Sequence, residues 1–290
     1  MQRSSPLIDV ADLAGLLGAV TVLDVRYRMG GPPGAEEYAA SHVPTAAYVD
    51  LDRDLAAEPG PRGRHPLPEA SDFATTMRRV GLRDDRPVVV YDDWEGRAAA
   101  RCWWLLRWAG HPDVRVLDGG WSAWCASGGV VSTSSTGEDS STGEDSSTPS
   151  VEPVETTGDL TVQAGSMPTI DVGDVLALAE RGVLIDARDS ERYRGEVEPV
   201  DPVAGHIPGA VNVPTTRNVR QDGTFRSPEV LREVYAMAVD QDAAAYCGSG
   251  VTATHDLLAM TVAGIEGVAL YPGSWSEWVA DPGRPTSGRP

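Results

Sequence analysis

The stretch Tyr246-Cys247-Gly248-Ser249-Gly250-Val251-Thr252-Ala253 decides how the whole chain is read. Ala243-Ala244-Ala245-Tyr246 before it is a short apolar run of strand length. Thr252 to Ala263 after it carries a helical pattern, and Val268-Ala269-Leu270 forms the next apolar run. Strand, Gly-rich loop, helix, strand is one unit of a parallel sheet covered on both faces. The thiol stands where the strand ends. Two glycines let the loop adopt backbone angles closed to other residues. Successive N–H groups can then converge on the sulfur as an anion-binding nest, and the helix dipole adds positive potential there. Both effects favour a thiolate and would equally stabilise a persulfide anion. A small buried cysteine at a strand end is the plainer alternative, and the attached loop argues against it.

The same pattern occurs twice. Val20-Thr21-Val22-Leu23-Asp24-Val25-Arg26 matches Val183-Leu184-Ile185-Asp186-Ala187-Arg188. Ser41-His42-Val43-Pro44 matches Gly205-His206-Ile207-Pro208, and Gly119-Gly120-Trp121 with Trp124 echoes Gly273-Ser274-Trp275 with Trp278. In the first half, Pro87-Val88-Val89-Val90-Tyr91 and Val114-Arg115-Val116-Leu117 read as buried strands, with a helical stripe from Gly96 to Ala109 between them. Two copies make two equivalent domains rather than a solenoid. We expect an N-terminal domain over residues 1–131, a linker over 132–160 and a C-terminal domain over 161–290. The linker contains the tandem Ser-Thr-Gly-Glu-Asp-Ser at 135–140 and 141–146, and its composition cannot bury enough apolar surface to offset chain entropy.

Asp186-Ala187-Arg188, Gly205-His206-Ile207-Pro208-Gly209-Ala210, the Cys247 loop and Pro272-Gly273-Ser274-Trp275-Ser276-Glu277-Trp278, in that order, resemble the tandem-domain rhodanese family. That family contains the thiosulfate and 3-mercaptopyruvate sulfurtransferases. The resemblance covers residues 5–283 apart from the linker. It implies an α/β fold of two rhodanese-like domains, an active cysteine in the C-terminal one, and transfer of a sulfane sulfur through a persulfide on Cys247. The first half aligns Asp92 with Cys247. A carboxylate cannot hold a sulfane sulfur, so the N-terminal domain is expected to be catalytically inactive. Cys102, inside a helix beside Trp103 and Trp104, reads as packing, and nothing around Cys125 activates a thiol.

Three chemistries compete for such a loop. A phosphatase would need an arginine closing it to grip phosphoryl oxygens, and position 253 is alanine. Thiosulfate-specific relatives carry basic residues just after the cysteine, where this chain has Gly248 and Ser249. Gly-Ser-Gly-Val-Thr is similar to the mercaptopyruvate enzymes. That resemblance implies a relay in which Ser249 meets His65 and Asp52 of the N-terminal domain, and a donor site formed by Arg192 with Gly248, Gly250, Val251 and Thr252. It also implies a second arginine in the stretch Glu198-Pro199-Val200-Asp201, where this chain has Val200. Arg188 reads as structural, like Arg26, and Arg194 as a surface arginine.

Composition sets the outer limits. The 290 residues include 24 basic side chains, all arginine, against 43 acidic ones, for a net charge of −19. Without lysine there is no Schiff-base or P-loop lysine. Strong acidity argues against nucleic acid or an anionic membrane as partner. Three scattered cysteines make neither a disulfide scaffold nor a zinc pair. No 18-residue apolar run occurs, and Met1-Gln2-Arg3-Ser4-Ser5-Pro6 leads into a helical pattern without a signal-peptide core. The expectation is a cytoplasmic monomer with no metal and no organic cofactor. It would take a small anionic sulfur donor and pass sulfur to a thiol such as reduced thioredoxin, or to cyanide. The alternative is a non-catalytic rhodanese-like module that binds a partner or carries persulfide, against which the intact Cys247 loop argues.

Overall fold

The computed structural model describes residues 5–134 and 158–288. The tandem repeat at 135–146 lies outside them. The first domain contributes strands β1 (Leu7–Ile8), β2 (Thr21–Asp24), β3 (Ala47–Tyr48), β4 (Val88–Tyr91) and β5 (Val114–Leu117), all parallel, in the order β1-β5-β4-β2-β3. The second contributes β6 (Val183–Asp186), β7 (Val211–Asn212), β8 (Ala243–Tyr246) and β9 (Ala269–Leu270), in the order β7-β6-β8-β9. A parallel bridge from Thr169 to Leu270 occupies the edge that β1 holds in the first domain. Both sheets therefore have one topology. The helical stripe of the first half forms a helix over Arg97–Trp108, and its counterpart spans Ala253–Val262.

The central strands β4 and β8 are buried at every position, as expected of a parallel sheet covered on both faces. Alanines at 243–245 are poor strand formers, yet their small side chains suit close helix-on-sheet packing. The two helices that follow β4 and β8 pack against each other across the domain boundary. One apolar cluster consequently runs through both halves, from Val90, Trp103 and Leu105 to Leu257 and Leu258. Cys102 is fully buried in it and burial pushes its thiol pKa up, so this cysteine is packing. Cys125 is exposed.

Matched residues in the two halves make matched contacts. Arg26 grips Asp24 and the carbonyl of Ser41, while Arg188 grips Asp186 and the carbonyl of Gly205. Each guanidinium lies over an indole, Trp121 at 4.5 Å and Trp275 at 4.7 Å. Arg188 is thus a structural residue, as its counterpart suggested.

Both described ends of the expected linker are tied to the first domain. Ser132 pairs with His42 in a two-way backbone bridge. At the other end the Gly158 and Leu160 amides donate to the Arg78 and Leu82 carbonyls, and Leu160 is fully buried. Gln163 and Ser166 then bond to the carbonyls of Ala109 and Trp108. Residues 158–166 therefore pack on the first domain, which the polar composition around them concealed. The strand Leu7–Ile8 was also unforeseen, since two residues carry no readable periodicity. Among the described residues, no helix is long and apolar enough to cross a membrane.

Candidate active site

Cys247 follows β8 directly and is only 1% exposed, reached through a cavity of about 600 Å³ between the domains. The Gly250 amide donates to its Sγ at 3.2 Å. Gly250 has a φ of +80°, and a Cβ there would lie 2.3 Å from the Pro272 carbonyl oxygen, so only glycine fits. Gly248 is different: its conformation is ordinary, and its missing Cβ instead leaves room for Arg64 Nη2, 2.9 Å from where that carbon would be. The expectation that both glycines serve backbone angles therefore holds for one. Behind the cysteine, its amide donates to Ser274 Oγ and its carbonyl accepts from the Trp275 amide. These contacts fix the strand end on which the thiol sits.

The second group of residues comes from the first domain. Asp52 lies on the short helix Leu51–Asp54, and His65 on the loop after Gly63. Gly63 has a φ of +100° and presses against the Gly273 backbone, while the Arg64 amide donates to Ser276 Oγ. This docking carries His65 into the second domain. His65 Nδ1 lies 2.7 Å from Ser249 Oγ, and Nε2 lies 3.0 Å from Asp52 Oδ1. The carboxylate can only accept, so Nε2 carries the proton and Nδ1 accepts from the serine hydroxyl. Burial pushes the His65 pKa down, Asp52 opposes this, and the cations Arg101 and Arg64 add to the lowering. The imidazole is therefore neutral at pH 7.

The guanidiniums around the cavity are less free than the sequence suggested. Arg192, on the helix Ser190–Tyr193, lines the cavity, but its Nη2 also donates to Glu198 Oε1 at 2.6 Å and Asp201 Oδ2 at 3.3 Å. Asp201 is bonded on its other oxygen by Arg64. Val200, where a second arginine was expected, is 40% exposed and not part of the cavity wall. Val251 and Thr252 line the cavity with Cys247, Gly248 and Ser249. Arg64, Arg97, Arg101 and Asp201 went unnoticed in the sequence. For Arg101 a signal existed: a charged residue among the alanines and tryptophans of an otherwise apolar stripe.

Two duplicated α/β domains, one presenting a thiol in an amide-lined loop and the other a carboxylate at the matching place, define a class of two-domain proteins with a single reactive cysteine. The chain matches the Rhodanese-like domain family twice, over residues 9–127 and 171–281, and it belongs to that family. It is 43% identical over 296 residues to a Pseudomonas aeruginosa protein named, provisionally, as a 3-mercaptopyruvate sulfurtransferase, covering 98% of each chain. It is 42% identical over 290 residues to Mycobacterium tuberculosis SseB, whose provisional name is thiosulfate sulfurtransferase, covering 98% of this chain and 97% of that one. The crystal structure of SseA from Escherichia coli, a 3-mercaptopyruvate sulfurtransferase, superposes with a TM-score of 0.77 at 29% identity, covering 94% of this chain and all of SseA.

Proposed function

We propose that this protein is a sulfurtransferase that takes sulfur from 3-mercaptopyruvate onto Cys247 and delivers it to a thiol. The observation that carries the choice of donor is the Asp52–His65–Ser249 chain, with contacts of 3.0 and 2.7 Å. Thiosulfate releases sulfite, a stable anion that needs no proton. Mercaptopyruvate releases a carbon leaving group that does. A serine bonded to a neutral, carboxylate-oriented imidazole meets that need. The absence of a cation at positions 248 and 249 points the same way.

In the first half-reaction the Cys247 thiolate attacks the donor sulfur. The S–S bond forms as the C–S bond breaks, and its electron pair passes to carbon as the pyruvate enolate. The proton of the donor thiol travels through Ser249 and His65 to that carbon. Pyruvate leaves, and Cys247 carries a persulfide anion held by the loop amides. In the second half an acceptor thiolate, such as that of reduced thioredoxin, attacks the outer sulfur and regenerates the Cys247 thiolate. This is a ping-pong covalent mechanism. Arg192, held in the cavity wall by Glu198, orients the donor carboxylate. One chain supplies both halves of the site, so a monomer suffices. A reducing compartment such as the cytoplasm would keep the three cysteines free and the acceptor reduced.

Intact mass after a brief exposure to each donor tests the proposal, with Cys247→Ser as control. One sulfur atom gained from mercaptopyruvate, and none in the control, is the expected result. Sulfur gained from thiosulfate alone would overturn the choice of donor, and none from either would overturn the activity.

A further inference from the structure

The arginines lining the cavity are matched by carboxylates: Arg28 by Glu37, Arg64 by Asp201, Arg97 by Glu95, Arg188 by Asp186 and Arg192 by Glu198. A chain of net charge −19 thus surrounds its sulfur site with cations already neutralised. Arg101 is not part of the cavity wall, and it has no such partner. It sits in the first domain's helix Arg97–Trp108 and is 0% exposed. Its partners are carbonyl oxygens: Leu55 O at 3.2 and 3.1 Å, Gly250 O at 3.1 Å, His65 O at 3.2 Å and, more weakly, Pro66 O at 3.4 Å. No carboxylate among the described residues forms an ion pair with it.

A lone buried cation is costly, and a leucine in this apolar helix would avoid the cost. Something must repay it. Gly250, whose carbonyl Arg101 holds, is the residue whose amide donates to Cys247 Sγ. The two titratable side chains that share Arg101's surroundings are Cys247, which opposes the lowering of its pKa, and His65, whose pKa it lowers. Burial brings the Arg101 pKa down to about 10, which leaves it charged at pH 7. Other charged groups share the cavity with the sulfur: Arg28, Asp93 and Glu95 from loops of the first domain, Arg97 from the start of its helix, Arg64 from the docking loop, and Arg188, Asp189 and Arg192 from the second domain.

We propose that Arg101 is the counter-charge of the sulfur site, a guanidinium from the inactive domain that stabilises the anionic thiolate and persulfide of Cys247. Its forked bonds to Gly250 and His65 also fix the catalytic loop and the relay loop to one another. Its place is that of a positioning residue, acting on the reacting sulfur through field and loop geometry. The inference rests on Cys247 as the sulfur-bearing thiol.

The test compares the pH profile of Cys247 alkylation by iodoacetamide in the wild type, Arg101→Met, Arg101→Gln and Arg101→Lys. Arg101→Met removes the charge and the donors, whereas Arg101→Gln keeps two N–H donors for the carbonyl cage. Both are expected to move the midpoint up by about one pH unit, and so slow alkylation about tenfold on the acid side. Arg101→Lys is expected to keep the wild-type midpoint. A purely structural arginine would lower the melting temperature and leave every midpoint in place, and that result overturns the proposal. Should both neutral variants fail to fold, the wild type decides through its arginine ¹⁵N spectrum, with Arg101 assigned by its absence from Arg101→Lys. The Arg101 Nε signal should move when Cys247 is loaded with sulfur while that of Arg26 stays, and an unmoved Arg101 signal overturns the proposal. If wild-type Cys247 gains no sulfur by intact mass, it is the underlying activity that fails, which separates the two claims.

Discussion

Asp92 and Cys247 end equivalent strands and open equivalent loops, yet one loop is closed and the other open. In the first domain Asp92 Oδ1 accepts from the amides of Trp94 and Gly96, and Oδ2 from those of Ala98 and Ala99, at 2.8 to 2.9 Å. The carboxylate is a built-in anion that fills the nest. In the second domain Cys247 Sγ has the Gly250 amide and faces a cavity. Both loops bend through a residue of positive φ, Glu95 at +54° and Gly250 at +80°. The scaffold is thus an anion trap, and one side chain decides whether the anion is resident or delivered. Burial raises the Asp92 pKa while its four amide donors oppose the rise.

This contrast can be broken at its centre. Cys247→Asp should convert the second loop into a copy of the first, abolishing sulfur loading from any donor while circular dichroism shows an intact fold. Loading retained in this variant would mean that another cysteine carries the sulfur. Next in size, Asp92→Ala should leave four buried amides without their acceptor and lower stability by roughly 3 kcal/mol or more, read by denaturant unfolding. A loss under about 1 kcal/mol would show that water replaces the carboxylate.

Smaller effects sharpen the division of labour between the domains. Asp52→Asn weakens the contact that orients His65, and Asp52 is more than half exposed. It should slow mercaptopyruvate loading about fivefold and leave thiosulfate loading unchanged. The pH dependence has a definite sign. Burial holds the folded His65 pKa below its usual value of about 6.5, so the imidazole stays neutral as pH falls to that point. The ratio of mercaptopyruvate to thiosulfate loading should be flat down to about pH 6.5 and decline only below it. Stability has the same sign, because the unfolded chain takes up this proton first. A ratio already falling at pH 7.5 would show that His65 is charged when folded.

What was readable in the sequence was local. The Cys247 loop, the repeated Asp-x-Arg and His-x-Pro segments, and the strands flanking them are contiguous patterns. The pairing of Ser249 with His65, 184 positions apart, came only through family resemblance, and the contact is present at 2.7 Å. The unread part is the web that joins the domains. Arg64 reaches Asp201 and Arg101 reaches Gly250 across 137 and 149 positions, and no periodicity encodes such contacts. The packed stretch 158–166 was hidden for a related reason. Most of its bonds run through backbone amides, and Leu160 alone supplies the buried side chain of the expected linker's end. Val200 looked like a missing contact, whereas the structure places a guanidinium of the other domain, Arg64, over Gly248.

The central claim is that a site split between two domains chooses its donor through a proton relay. The most direct test is single-turnover sulfur loading of Cys247 in His65→Ala against the wild type, with each donor in turn. The account predicts that mercaptopyruvate loading falls about 100-fold while thiosulfate loading changes less than about twofold. Equal losses with both donors would contradict it, and would reduce His65 to a strut between the domains.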